Sequence, residues 1–383
     1  MVKKIVEASM AVALGVQLCR PAVIPMYPIT PQTHIVERLA DFIDDGELDS
    51  EIIYAESEHS AIAAAVGSQA TGVRSFTATA SQGLALMHEI LHIASGMRLP
   101  IVMAVANRAL SAPISIWNDH QDSMSARDTG WMQFYVESAQ EALDTVIMAY
   151  KIAEKTNVLL PAMVCLDGFT LSHVYESVDI PSQPKVNAFL PKYKAAYAFL
   201  DSKKPMTQGP IGFPSEFMEL KYEQQKAMEN ALSVIKSVNS EFKKQFGRSY
   251  GNGLVETYKT NDADYALLCL GTVAGTTRVV VDELRKQGKK VGLIKLKSFR
   301  PFPRDELRNV TKNLKGLGVI DKAVSFGNEG PVYSEVKSAL LNFNKKIKIS
   351  GFIAGLGGRD ITPNHIKKAY SRIGKTVKTE WLF

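Results

Sequence analysis

Three residues of this chain could do chemistry together: the hydroxyl of Thr30, the carboxylate of Glu58 and the guanidinium of Arg108. On one rim, they would make a site for a small anion and a cofactor. Thr30 lies in Tyr27-Pro28-Ile29-Thr30-Pro31-Gln32, just past the apolar run Val23-Ile24-Pro25-Met26. Tyr27 and Thr30 each precede a proline, which pushes both toward extended backbone. The loop should therefore hold the hydroxyl rigidly beyond a strand end. Glu58 follows a strand expected at 51–55, and Arg108 one at 101–106. In open α/β sheets, ligands bind beyond the carboxyl ends of strands.

Each residue also has a plainer reading. Glu58 opens a helix whose following turns are small (Ala61, Ala63, Ala64, Ala65, Gly67), a face that a flat ring or another backbone could approach. A carboxylate at that position also interacts favourably with the helix dipole, worth about 0.3–1 kcal/mol. Arg108 is shaped for a bidentate grip on a carboxylate, or for a surface salt bridge. The polar run Asn118-Asp119-His120-Gln121-Asp122 is open to three readings: catalytic loop, partner contact or well-bonded turn. His88-Glu89-Ile90-Leu91-His92 matches the HExxH zinc pattern, but lacks the longer extension and an evident third ligand. The turn Gly355-Leu356-Gly357-Gly358, before a helix at 364–373, suits phosphate or backbone contact; a tight left-handed turn would need the same glycines.

Positioning these groups requires alternating elements. Helices are expected at 3–18, 32–42, 58–70, 83–96 and 140–155, with Thr30 and Ser57 as caps and Ser81 capping the fourth. Strands are expected at 23–26, 51–55, 74–79, 101–106, 131–137 and 162–166. Such alternation implies a largely parallel sheet covered on both faces. Prolines 181, 184, 191, 205, 210 and 214 mark residues 180–215 as a connecting segment. A charged, helix-favouring stretch follows at 215–246, then a second α/β unit with strands at 265–270, 290–295, 318–321 and 348–353.

The length of 383 residues and 46% hydrophobic content suffice for two domains. No apolar run reaches the ~18 residues of a membrane span, and no cleavage site follows the basic start, so a cytoplasmic location is expected. Cys19, Cys165 and Cys269 have no disulfide, zinc or iron–sulfur spacing. The net charge of +6 divides into an acidic first 150 residues and a basic remainder. That asymmetry fits an acidic partner, a phosphorylated ligand or a solvated surface. The basic residues are too dispersed for nucleic acid.

With these segments in place, the chain resembles the alpha subunits of the 2-oxoacid:ferredoxin oxidoreductase family, nearly end to end and in matching order. The resemblance rests first on Tyr27-Pro28-Ile29-Thr30-Pro31-Gln32-Thr33. Glu56-Ser57-Glu58-His59-Ser60-Ala61 and 77–89, which contains Ser81-Gln82-Gly83, look like the pyruvate branch, the pyruvate:ferredoxin oxidoreductases. So do Asn107-Arg108-Ala109-Leu110-Ser111 and Asn118-Asp119-His120-Gln121-Asp122. Residues 297–303, 323–327 and the glycine turn also match. One departure is Ala8-Ser9-Met10-Ala11, where relatives commonly carry Gly-x-Glu-Ala.

The resemblance implies CoA-dependent oxidative decarboxylation of pyruvate to acetyl-CoA and CO₂, with electrons passed to ferredoxin. It also implies a fold: a thiamine-diphosphate-binding α/β domain of the pyrimidine type, a doubly wound sheet, over residues 1–225. A linker at 226–259 and a transketolase C-terminal-like α/β domain at 260–383 would follow. By motif match, Glu58 bonds the aminopyrimidine ring nitrogen, Pro28 and Ile29 line the cofactor, and Thr30 and Arg108 hold the keto and carboxylate oxygens of pyruvate. The chain lacks the Gly-Asp-Gly…Asn diphosphate–magnesium motif; Asp167-Gly168 is only a fragment of it. Mg and iron–sulfur clusters are therefore expected on partner subunits of beta, gamma and delta type, and no metal on this chain. A sister enzyme for 2-oxoglutarate or branched 2-oxoacids, or a non-catalytic assembly protein of the same fold, are the alternatives.

Overall fold

The computed structural model describes residues 2–343, 346–375 and 379–383. Two mixed sheets organise the chain. In the first, strands Ser298–Arg300, Met132–Val136, Ala162–Asp167, Val102–Asn107 and Phe76–Thr79 lie side by side in that order. Strands Val23–Met26 and Glu51–Tyr54 extend it beyond Phe76–Thr79: Val23 bridges Ser75 in parallel, and the Thr77 hydroxyl donates to the Pro25 carbonyl at 2.9 Å. All pairings are parallel except that of Ser298–Arg300, which runs antiparallel to Met132–Val136. The three central strands read Ala-Met-Val-Cys-Leu-Asp, Val-Met-Ala-Val-Ala-Asn and Phe-Thr-Ala-Thr and are buried throughout. Continuous burial is what a parallel sheet with both faces covered demands.

Helix Ala139–Ala153 begins at Ser138, whose hydroxyl accepts from the Glu141 N–H at 3.2 Å. It packs on helix Ala8–Cys19 so closely that a Cβ on Gly15 would stand 2.9 Å from the Leu143 carbonyl oxygen. That early helix is shorter than expected. Val2–Glu7 is a strand, paired antiparallel with Tyr175–Ile180. The β-branched Val2, Ile5 and Val6 favour extended backbone, and helix begins only where the small residues do. Helix 83–96 is likewise two pieces, Ser81–Leu86 and His88–Gly96, and Ser81 is the first residue of the former rather than its cap. Nor does Thr30 cap the helix Thr33–Asp44, which starts after Gln32 without a side-chain cap.

Residues 190–216 carry almost no regular structure. A 30-residue helix, Phe217–Phe246, then crosses the molecule and stops at Gly247, whose φ of +79° suits the helix end. The stretch expected as linker, 226–259, thus comprises most of this helix and the strand Val255–Tyr258. In the second sheet the order is Glu380–Trp381, Lys348–Ile353, Gly316–Asp321, Tyr265–Cys269, Val291–Leu296 and Val255–Tyr258, with only the last antiparallel. Helices Val273–Lys286, Arg304–Thr311, Pro331–Leu340 and Pro363–Arg372 cover it. One apolar core runs from the first sheet past Ala231, Ile235 and Phe242 of the long helix to one face of the second. A separate core fills the other face.

Candidate active site at the sheet switch point

After strand Val23–Met26 the chain moves outward to Glu51–Tyr54, then returns to the other side as Phe76–Thr79. This reversal of strand order is a switch point, where an open α/β sheet forms its crevice. Thr30, Glu58, Ser81 and Arg108 all follow the carboxyl ends of strands around it.

Arg108 stands one residue beyond Val102–Asn107 and is 8% exposed. Its Nη1 donates to the Thr30 carbonyl at 2.9 Å and its Nε to the Ser115 carbonyl at 3.0 Å. No carboxylate pairs with this guanidinium among the described residues. The surface salt bridge therefore does not form; instead, two carbonyls aim a buried cation, and burial draws its pKa below the ordinary arginine value. A buried guanidinium with no carboxylate against it is a prepared anion site.

Thr30 is exposed at the rim, tied to Arg108 through its backbone. Ile29 N–H donates to Gln32 Oε1 at 3.2 Å, which braces the loop. Pro28 is exposed and Ile29 half-buried. The neighbouring Pro31 lies so near Gly168 that a Cβ there would approach its ring to 2.6 Å.

Glu58 opens helix Glu58–Ala70, with Ser57 accepting from the Ser60 N–H at 3.2 Å. Its side chain is 7% exposed and finds no hydrogen-bond donor among the described residues. Gly83 faces it: a Cβ there would stand 2.4 Å from Thr79 Oγ1 and 2.7 Å from Glu58 Oε1. Thr79 is fully buried, and its hydroxyl has no partner. A buried carboxyl and a buried hydroxyl thus leave hydrogen-bonding capacity unspent in the same place. Native interiors rarely do so without a ligand or water to use it, and a flat heterocycle bearing ring nitrogens would use it.

Asp122 holds the frame. Its Oδ2 accepts from the N–H groups of Ser81 (2.9 Å) and Arg108 (3.0 Å), and its Oδ1 from Asn107 Nδ2 (2.7 Å) and the Ser123 N–H (2.7 Å). Sequence reasoning singled out the segment but not this role, nor Thr79. The density of polar residues in a segment between apolar elements marked the segment and not the residue within it. The rest of the segment binds the second domain. Asn118 Oδ1 accepts from Lys322 Nζ, Asp119 Oδ2 from the Gly357 N–H at 3.1 Å, and Gln121 Oε1 from the Val324 N–H at 3.0 Å. His120 Nε2 lies 2.7 Å from Asp167 Oδ1. The glycine turn docks here: Gly358 N–H donates to the Asn118 carbonyl at 2.6 Å, and its φ is +79°. The turn is left-handed at Gly355, Gly357 and Gly358, as those glycines allow, and it makes a backbone contact. His88 and His92 are exposed, with ring centroids 5.2 Å apart.

Comparison with known proteins adds to this geometry. Residues 15–240 match the family model described as pyruvate flavodoxin/ferredoxin oxidoreductase, thiamine diphosphate-binding. Residues 263–366 match that of pyruvate:ferredoxin oxidoreductase core domain II. The chain is similar to pyruvate synthase subunit PorA of Methanocaldococcus jannaschii, 53% identical over 97% of this chain and 95% of that protein. It is also similar to PorA of Pyrococcus furiosus, 50% identical over 98% and 95%. Ketoisovalerate oxidoreductase subunit VorA of Pyrococcus horikoshii is 47% identical over 99% and 95%. In fold, the chain resembles a 2-oxoglutarate:ferredoxin oxidoreductase from Magnetococcus marinus solved with 2-oxoglutarate, coenzyme A and succinyl-CoA bound. The TM-score is 0.75 at 20% identity, over 96% of this chain; the chain spans 65% of the length of that one.

Proposed function

The chain belongs to the pyruvate flavodoxin/ferredoxin oxidoreductase family, and from that premise we propose how its residues divide the work. It is the alpha subunit of a pyruvate synthase, an oxidoreductase acting on pyruvate, and carries the family's thiamine diphosphate-binding domain. Thiamine diphosphate supplies the carbanion chemistry when bound. Glu58 would hold the pyrimidine ring nitrogen by a hydrogen bond from its carboxyl, and Pro28 and Ile29 would line the ring. Arg108 receives the substrate carboxylate, and the Thr30 hydroxyl donates to the keto oxygen. The observation that carries this reading is the buried Arg108 guanidinium, held by two carbonyls and lacking an anion.

Coenzyme A and ferredoxin complete the reaction, with Mg and the iron–sulfur clusters held by beta, gamma and delta-type subunits. The loop beside Arg108 supports a site shared with a partner: Ile114, Ile116 and Trp117 are 79%, 41% and 52% exposed, an apolar surface of the kind that partners cover. No helix among the described residues is long and apolar enough to cross a membrane; we place the complex in the cytoplasm. The similarity to VorA sustains a second reading, a branched 2-oxoacid substrate.

The test uses the complex purified anaerobically with its partners, following viologen reduction against pyruvate and a panel of 2-oxoacids. Arg108→Ala should raise the pyruvate KM ~100-fold, with kcat changed far less, because binding is lost from ground and transition states alike. A wild-type KM in that variant would remove Arg108 from the substrate site. Faster turnover of 2-oxoisovalerate than of pyruvate would favour the second reading.

A further inference from the structure

We infer that Asp122 is the positioning residue of this active site, coupling the substrate-binding arginine to the turn that abuts Glu58. The inference rests on the reading of Arg108 given above. Asp122 is 1% exposed, so its carboxylate is spent on the protein's own donors. Each of its oxygens accepts two hydrogen bonds, and all four donors belong to the site frame. Strands Phe76–Thr79 and Val102–Asn107 are parallel neighbours, with Thr79 opposite Val105. Oδ2 therefore clamps together the two chains that leave those strands, at Ser81 and Arg108.

The Ser81 end of this clamp is strained. Its φ is +48°, a left-handed conformation that a non-glycine residue adopts only when its surroundings impose it. Two contacts hold it here: the N–H donates to Asp122, and the hydroxyl lies 2.5 Å from both the Ala109 carbonyl and Gln82 Oε1, two acceptors that share its one proton. Gln82 and Gly83 follow at once, and Gly83 lies against Glu58 Oε1. The Arg108 end is held in the same way, by backbone, so the guanidinium is aimed from a fixed point. The negative charge of Asp122 also partly offsets the burial that lowers the Arg108 pKa. Asn107, through Nδ2, orients the carboxylate that does all this.

Substitution by asparagine retains the shape but turns one acceptor into a donor. Either oxygen so replaced would face two donors, so Asp122→Asn must break one pair of bonds. In the intact complex, Asp122→Asn should raise the pyruvate KM ~10-fold or more, the scale of a lost buried hydrogen bond. Amide hydrogen exchange should quicken in the peptides that contain Ser81 and Arg108, while peptides of the second sheet keep wild-type protection. The exchange readout needs neither substrate nor cofactor, and a general loss of stability would not confine itself to two peptides. Asn107→Ala removes one donor, keeps the carboxylate, and should give the same pattern at smaller amplitude. It decides the matter if Asp122→Asn fails to fold.

Wild-type KM, or exchange that quickens evenly over the domain, overturns the inference. If Arg108→Ala raises KM while Asp122→Asn and Asn107→Ala do not, only the positioning role is lost. If Arg108→Ala itself leaves KM unchanged, the substrate reading fails first.

Discussion

At the scale of single residues, the site is defined by groups whose hydrogen-bonding capacity the protein leaves unspent. Burying a guanidinium or a carboxyl without a charged partner costs stability, and folding alone gives no reason to accept that cost twice in one crevice. Glu58 illustrates the consequence. Its carboxyl is nearly buried yet meets no donor among the described residues, and Gly83 keeps the opposite side clear of any side chain. A carboxyl in that setting has no protein donor to compete with a ring nitrogen for it. Glu58→Gln preserves shape but cannot shuttle the proton, so kcat should fall by ~10²–10⁴ while the pyruvate KM stays within a few-fold of wild type. Steady-state viologen reduction by the purified complex measures both. A variant that loses KM and keeps kcat would assign Glu58 to substrate binding instead.

At the scale of elements, glycines make the distinction between a functional approach and ordinary helix. Gly83 sits in the helix Ser81–Leu86 that abuts Glu58, and Gly67 lies further along the helix that Glu58 opens. A Cβ at 83 would overlap Thr79 Oγ1 and Glu58 Oε1, whereas one at 67 would meet nothing within 4 Å. Gly83→Ala should therefore cost ~1–3 kcal/mol through overpacking and displace the Glu58 carboxyl. Gly67→Ala should gain ~0.5–1 kcal/mol by reducing the entropy of the unfolded chain. Thermal unfolding of the two variants, side by side, checks the opposite signs. The same elements show what a sequence can disclose. Helix Glu58–Ala70 was legible to the residue because its cap and apolar pattern are local, and the rim positions of Thr30, Glu58 and Arg108 followed from strand ends. The strand Val2–Glu7 was not legible, since its partner lies some 170 residues away. Nor was the frame around Arg108, which Asp122 builds through the backbone N–H of Ser81, 41 positions earlier. Side-chain pattern carries no trace of such a bond.

At the scale of the whole molecule, part of the uneven charge of the sequence is internal complementarity: carboxylates of the acidic first 150 residues meet cations of the basic remainder. Glu141 receives Lys295 and Lys297, both at 2.6 Å. Asp144 takes Arg248 at 2.7 Å and Glu137 takes Arg278 at 2.7 Å. Asp167, itself within the basic remainder, gathers His120 of the first stretch together with Lys322 at 3.1 Å and Thr272. Strand Ser298–Arg300 adds the edge of the first sheet from the second half of the chain. The domains that must hold Arg108 and the Asn118–Asp122 segment in register are thus joined by buried ion pairs, and these titrate. Lys297 and Lys295 draw the Glu141 carboxyl down from its ordinary value to about 2, and the cations around Asp167 hold it far below the usual carboxylate range. Because the folded pKa is depressed, the stabilisation is present in full above the ordinary carboxylate range, near 4.5, and is lost as pH falls toward 2. For Glu141 alone it is on the order of 3 kcal/mol. The part of the denaturant midpoint that Glu141 supplies, read as wild type minus Glu141→Gln, should hold steady from neutrality to about pH 5 and drop steeply below. Glu141→Gln should lower the midpoint at neutral pH, since Lys297 loses its carboxylate and Lys295 its nearest one, and should flatten the acid limb relative to wild type. An acid limb equally steep in that variant would mean that other carboxylates, and not this junction, govern the loss of the folded state.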